Sequence, residues 1–302
     1  LILAAASAAF LLFAMALIYG ALGTMQFARI ASQSIGSDST AGLLVLSGSA
    51  LLIIGAGFKL AVVPFHMWTP DVYEGAPAPV AAFVATVSKG GMFALLLRYF
   101  TEVDIRAYAT LFLAFSAIAV ASMFVGNLLA LLQNNVKRIL AYSSIAHFGY
   151  LLVAFLASGI FAATAASFYL VAYFLMTLIS FGVVSALSGR ERDADAMGDY
   201  RGLFWRQPWL ALVFATSLLS LAGMPLTAGF VGKFLLVAAG VQDKLWALVL
   251  VMVINSAISL FYYVRIIIAM YSSPLEDSGA GRAPSLSLVG AATLAVLTML
   301  LV

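Results

Sequence analysis

Three lysines interrupt stretches of sequence that are otherwise apolar. Lys59 lies in the run from Ile53 to Val63, Lys89 in the run from Ala85 to Gly91, and Lys233 in the run from Gly229 to Leu235. An ionised side chain at the centre of a membrane helix costs roughly 2.5–3.5 kcal/mol on insertion scales, so such residues point to function. Lysine carries a compact ammonium on a flexible stem and can lose its proton when desolvated, whereas arginine stays charged. Burial can alter a lysine's hold on its proton by about 4–7 kcal/mol. Moving one charge against 100 mV takes about 2.3 kcal/mol. Lysines that alternate between desolvated and ion-paired states can therefore carry protons against a membrane potential. Snorkelling to the interface is the competing reading. It suits Arg98 and Arg265 near the ends of their runs, but not Lys89, which stands about 11 residues from either end.

Other residues qualify as supporting parts of a proton path. His147 lies eight residues beyond Ile139, roughly 12 Å into its helix, and follows Tyr142, Ser143 and Ser144. Histidine titrates near neutrality and suits relay, with a hydrogen-bonded structural role as the alternative. His66 follows Pro64 at an expected membrane boundary and can line an access path. Thr86, Ser88, Tyr173 and Thr177 can support a water chain, and Asn255 and Ser256 can hydrogen-bond between helices. Asp71 and Glu74 read as loop-structuring groups. All twelve acidic residues fall in loops or near helix ends. An acidic partner for the lysines is therefore expected in a preceding segment or on a neighbouring subunit.

The elements that position these residues follow from composition. Hydrophobic residues make up 64% of the 302 and charged residues 9%. A soluble domain carries about 25% charge, so the solvent here is lipid. The formal charge of +3 is then a matter of topology rather than nucleic-acid binding. Cysteine is absent and there are two histidines, which excludes disulfides, thiolate metal sites and cysteine-ligated clusters. No metal-ligand spacing and no phosphate-cradling glycine pattern occurs. About 20 apolar residues span a bilayer, and nine runs qualify: 1–22, 41–65, 77–100, 108–132, 139–157, 161–187, 208–240, 246–271 and 287–302. Backbone groups in lipid must pair internally, so these are helices. The chain starts at Leu1 and stops at Val302 inside apolar runs, and further helices are expected to flank it.

Lys137, Arg138, Arg190, Arg192, Arg201, Arg206, Arg265 and Arg282 gather on one side; Arg29, Arg98, Arg106 and Lys244 gather on the other. The first side is cytoplasmic by the positive-inside rule, which places His66–Gly75 there too. The mixed charges of Ser188–Gln207 suggest a solvated segment, of which an amphipathic helix lying on the membrane is one form. The 208–240 run is too long for one straight span, and Gly223 and Pro225 in its middle predict a discontinuous helix. Pro64 predicts a second break beyond Lys59. Broken helices in two halves of a chain mark ion sites in transporters built from inverted repeats.

The run from Lys59 to Val80, with the stretches Asn135–His147 and Leu221–Phe230, resembles the antiporter-like membrane subunits of respiratory NADH:quinone oxidoreductase (complex I). The resemblance covers essentially the whole chain. It implies an all-α, polytopic transmembrane helix bundle with discontinuous helices and inverted five-helix repeats. Residues 1–100 would complete the first repeat, 101–272 form the second, and 273–302 supply a final helix. It implies that Lys59 is an input-side proton carrier, Lys89 a connector and Lys233 an output-side carrier, with an acidic partner for Lys59 in a helix outside this chain. It further implies a multi-pass protein of the bacterial inner membrane. Neighbouring antiporter-like and small membrane subunits, the peripheral subunits and lipid would be its partners. No cofactor is expected in this chain; flavin, iron–sulfur clusters and quinone would be bound elsewhere in the complex. The alternatives are a subunit of a multisubunit cation/proton antiporter, an unrelated transporter that binds an anion at its lysines, and a passive scaffold.

Overall fold

The computed structural model describes residues 2–32, 40–102, 109–157, 159–189 and 192–273. The described elements are helical: α1 (Ile2–Leu22), α2 (Phe27–Ser32), α3 (Thr40–Leu60), α4 (Trp68–Gly75), α5 (Ala78–Phe83), α6 (Lys89–Glu102), α7 (Ala109–Leu131), α8 (Val136–Leu156), α9 (Gly159–Leu187), α10 (Leu203–Arg206), α11 (Pro208–Ala222), α12 (Ala228–Gln242) and α13 (Trp246–Tyr271). Among the described residues, seven helical stretches are long and apolar enough to cross a membrane, one of them running from α5 into α6. The expected run at 287–302 lies outside the described residues, as do Arg106, Arg190 and Arg282.

Their arrangement is centred on α8. In this helix 94% of the spanning window is buried, against 22–50% in the other six. Helices α4, α7, α9, α12 and α13 all pack on it. A helix apolar on every side is normally a lipid-facing span or a core, and α8 is the core. It is also the helix that carries Ser143, Ser144 and His147. Helices α1 and α3 pack as a pair beside this bundle, and α3 reaches it through α6.

Both predicted breaks are present. Helix α3 stops at Leu60, and Ala61 adopts a left-handed φ of 58° before Pro64. The 208–240 run divides into α11 and α12. Gly223, at φ 83°, ends α11. Its N–H donates to Ser220 O, while the Met224 N–H donates to Leu219 O at 3.0 Å. This doubly bonded terminus requires a residue that tolerates positive φ. Pro225 prevents continuation, and Thr227 restarts the chain by accepting from the Phe230 N–H at 3.3 Å, an N-cap.

Three expectations need correction. The stretch His66–Gly75 is largely helical, as α4. The described part of Ser188–Gln207 is not one amphipathic helix: a short 3-10 turn at Met197–Tyr200 and the single turn of α10 are separated by Gly202 at φ 69°. It folds back on α8 because Tyr200 is fully buried and donates to Ala194 O at 2.7 Å. The Val136 N–H also donates to Asp195 O at 2.6 Å. Finally, Arg265 does not snorkel. Its guanidinium donates to Leu131 O at 3.0 Å and to Gln133 O, binding the otherwise open carbonyls at the end of α7.

Charges counted above only for topology form a fastener at the start of α8. Lys137 is 1% exposed. It donates to Glu74 O at 2.8 Å, to Ala76 O at 2.7 Å and to Asp193 at 2.7 Å. Arg138 pairs with Asp71 and Glu74, so these acids hold structure, as expected from sequence. A cation at the N-terminus of α8 opposes that helix's dipole, but here it meets the negative C-terminal end of α4. Lys137→Met should destabilise the protein by about 3 kcal/mol, the low end for unpairing a buried charge, because Asp193 keeps 22% exposure. The thermal unfolding midpoint of the detergent-solubilised protein measures this.

Candidate functional site

Lys89 sits where α6 begins, directly after a π-helical turn at Val84–Ser88. Such turns recur at functional sites. The ammonium is fully buried and donates to Ser144 Oγ at 2.7 Å. It lies 5.5 Å from the centre of the Tyr73 ring and 5.3 Å from that of Phe148. The negative faces of these rings offer a desolvated cation partial compensation.

Lys233 projects from the second turn of α12 back toward the break. It donates to Ala222 O at 2.8 Å and to Ser256 Oγ at 2.9 Å, with the Tyr150 ring centre 5.2 Å away. Ala222 is the last residue of α11, so its carbonyl belongs to the negative end of that helix. The break thus supplies the lysine with an acceptor that an unbroken helix would use internally. Among the described residues, neither lysine contacts a carboxylate.

Between them, along α8, stands a set of buried hydrogen-bonded groups. Tyr263 of α13 donates to Ser143 Oγ at 2.8 Å. The Tyr263 hydroxyl also meets His147 Nε2 at 3.2 Å, and Tyr169 of α9 meets His147 Nδ1 at 2.6 Å. Tyr169 in turn lies against Gly232, the residue before Lys233. His147 is 11 residues beyond the first residue of α8, roughly 16 Å into the helix and deeper than the sequence suggested. With one ring nitrogen facing each tyrosine, it can pass a proton by exchanging tautomers. The buried Ser143 and Ser144 stand side by side, one bonded to Tyr263 and the other to Lys89.

The remaining residues singled out from sequence fall into two groups. Thr177 is buried one turn beyond Tyr173, whose hydroxyl donates to Ala85 O at 3.4 Å, beside the π turn. His66 is buried, and that burial pushes its imidazole below the ordinary histidine range. Pro64, Pro225 and Gly223 are at the breaks. The structure does not bring Lys59 into this line: it is exposed in the last turn of α3 and forms no ion pair among the described residues. Tyr142 is half-buried and outside the line, Ser88 is exposed, and Thr86 is occupied with Ala82 O at 2.7 Å.

Sequence reasoning missed Tyr263, Tyr169 and Tyr150, which join Tyr173 among the aromatics that touch His147 or Lys233. Their signal was available as buried-type tyrosines within apolar runs. It also missed Asn127, which bonds Asn255 at 3.1 Å, Tyr150 at 2.9 Å and Tyr262 at 2.9 Å. That network holds α7, α8 and α13 together beneath Lys233, which bears out the interhelical role expected of Asn255. No group of residues suited to holding a metal ion occurs among the described residues.

Comparison with known proteins places this geometry. The family model described as "NADH:quinone oxidoreductase/Mrp antiporter, TM" matches residues 1–259. A protein of Nitrosospira multiformis named NADH-quinone oxidoreductase subunit N is 54% identical, over 100% of this chain and 63% of that protein. One of the same name from Methylococcus capsulatus is 49% identical, over 93% of this chain and 57% of its own length. The chain therefore spans about three fifths of the curated relatives it matches. Among solved structures, respiratory complex I from Thermus thermophilus with bound aureothin contains a similar chain. It is 35% identical with a TM-score of 0.81, covering 99% of this chain and 64% of that one.

Proposed function

We propose, from the premise that this multi-pass membrane chain belongs to the NADH:quinone oxidoreductase/Mrp antiporter transmembrane family, that it is the proton-conducting part of a subunit N in the membrane arm of a bacterial NADH:quinone oxidoreductase. The observation that carries this reading is the pair of buried lysines with no carboxylate beside either among the described residues, one at each end of a polar line along α8. A static structural charge of this kind would be expensive. A group that gains and loses a proton during turnover bears the cost only in one state.

In this reading Lys89 exchanges its proton with Ser144. Ser143 and Tyr263 pass charge to His147, and Tyr169 delivers it beside Lys233. Each hydroxyl gives up one proton as it accepts another. Each lysine changes between an ammonium held by hydroxyl, carbonyl and ring faces and a neutral amine that needs no such support. Lys59, exposed on α3, would serve as the input-side carrier by meeting an acid from a preceding helix or a neighbouring subunit. Residues 1–100 and 101–272 would be parts of two inverted repeats, with 273–302 supplying a final helix. The relatives' name supports coupling to NADH oxidation and quinone reduction, carried out on flavin, clusters and quinone sites in other subunits. Partners would be the adjoining antiporter-like, small membrane and peripheral subunits, and the location the bacterial inner membrane.

The test uses the full-length protein in its native membrane. It should co-purify with NADH:quinone reductase activity, and inverted vesicles should acidify on NADH addition equally well in sodium-free and sodium-containing buffer. NADH-independent, sodium-driven proton exchange without such co-purification would overturn this reading in favour of a cation/proton antiporter.

A further inference from the structure

Five buried side-chain polar atoms have no hydrogen-bond partner among the described residues, and three of them share one face of one segment. They are His66 Nδ1, Thr69 Oγ1 and the Tyr73 hydroxyl. Steps of three and four residues place side chains above one another on a helix. Met67, Asp71 and Val72 point the other way, to the exterior. His66 is 7% exposed, and Thr69 and Tyr73 are fully buried. Buried polar side chains are almost always bonded to protein or to ordered water. Leaving one unsatisfied costs about 1–3 kcal/mol, so three in a row call for an occupant. The occupant must be small, must both donate and accept, and must serve an imidazole and two hydroxyls. Water has that chemistry.

The stripe also leads somewhere. It starts just after the break at Pro64 and ends at Tyr73, whose ring faces the Lys89 ammonium at 5.5 Å. The Tyr73 hydroxyl approaches Ser144 without a well-formed bond to it, and Ser144 is the residue that accepts from Lys89. Just beyond, a polar pocket of about 490 Å³ opens among Glu74, Lys137 and Asp193.

We propose that Tyr73 is a proton-relay residue, fed by bound water that Thr69 and His66 position, and that this path delivers protons along α4 to Lys89. This rests on the proton-conducting reading above. At Tyr73 a water molecule on the Thr69 side gives a proton to the phenolic oxygen. The phenol's own proton leaves for Ser144 Oγ, whose hydroxyl proton goes to the neutral Lys89 amine. One O–H bond breaks and one forms at each oxygen, an N–H bond forms at Lys89, and tyrosine is never ionised. The water then regains its proton from the next water toward His66.

The unpartnered state of these hydroxyls makes the test sharp. Tyr73→Phe and Thr69→Val keep the shape of each side chain and remove hydroxyls that make no well-formed hydrogen bond within the protein, so a purely structural role predicts little loss. In full-length protein assembled in its complex, each variant should keep normal abundance and unfolding midpoint. NADH-driven proton flux should fall by about tenfold, with a changed solvent isotope effect. Flux at the wild-type level in the assembled double variant would overturn the proposal, and so would loss of assembly in both single variants. Lys233→Met measured alongside separates the two ideas. If it loses flux while the α4 variants do not, the relay on α4 is wrong. If it too keeps full flux, the failure lies with the proton-conducting reading.

Discussion

Lys233→Met in the full-length protein should abolish most NADH-driven proton pumping, with a loss of about a hundredfold, while the complex still assembles. Methionine is close to lysine in length and apolar, so it fills the same space beneath the break. What it removes is the donor to Ala222 O and Ser256 Oγ. Losing these bonds costs stability on the order of 1–3 kcal/mol, partly offset because no ammonium has to be buried. The functional loss is larger because a positioned proton carrier contributes about 10²–10⁴-fold to its step. Lys233→Arg should fail as well, since a guanidinium holds its proton throughout and is bulkier than the space beside Gly223, where the lysine side chain is already tightly packed. The measurements are acidification of inverted vesicles, NADH:quinone turnover with and without uncoupler, and complex abundance on native gels. Pumping at the wild-type level in assembled Lys233→Met complex would remove Lys233 as a carrier and leave a scaffold.

What could be read in advance and what could not follows a physical division. The break at Gly223–Pro225 was legible because proline and glycine act on their own backbone, whatever surrounds them. Lys89 stood out because its cost depends only on depth in an apolar run. The π turn before it contains neither proline nor glycine in Val84–Ser88, so no break-forming residue within it marks it. Tyr169, Tyr263 and Asn127 were invisible as a group for a similar reason. They lie on α9, α13 and α7, and only the packing of three helices around α8 reveals which face of each turns inward. Lys137 looked like an ordinary interfacial cation because the positive-inside rule counts charge without asking where it points. Lys59 stands exposed in the last turn of α3, and the acid expected to meet it was placed outside this chain.

Gly229→Ala should be the most damaging glycine-to-alanine change among the described residues. A Cβ there would come within 1.8 Å of Ser220 O and 2.7 Å of the Ser220 carbonyl carbon. Both are backbone atoms, so no side chain can swing aside to make room. Ordinary overpacking costs about 1–3 kcal/mol because side chains shift. Here α12 must move away from α11, so about 3 kcal/mol or more is expected. The same movement breaks the bond from the Gly229 N–H to Ser220 Oγ, now 3.1 Å. It also carries Lys233, one turn further along α12, away from Ala222 O. Stability and conduction should therefore fall together, unlike in Lys233→Met, where conduction falls nearly alone. Low abundance of the variant, recovered in part by growth at reduced temperature but without recovery of pumping per assembled complex, is the expected pattern. If the variant assembles normally and pumps normally, the close approach of the two half-helices is not what holds Lys233 at the break. The end of α11 would then have to find another way to present its carbonyl.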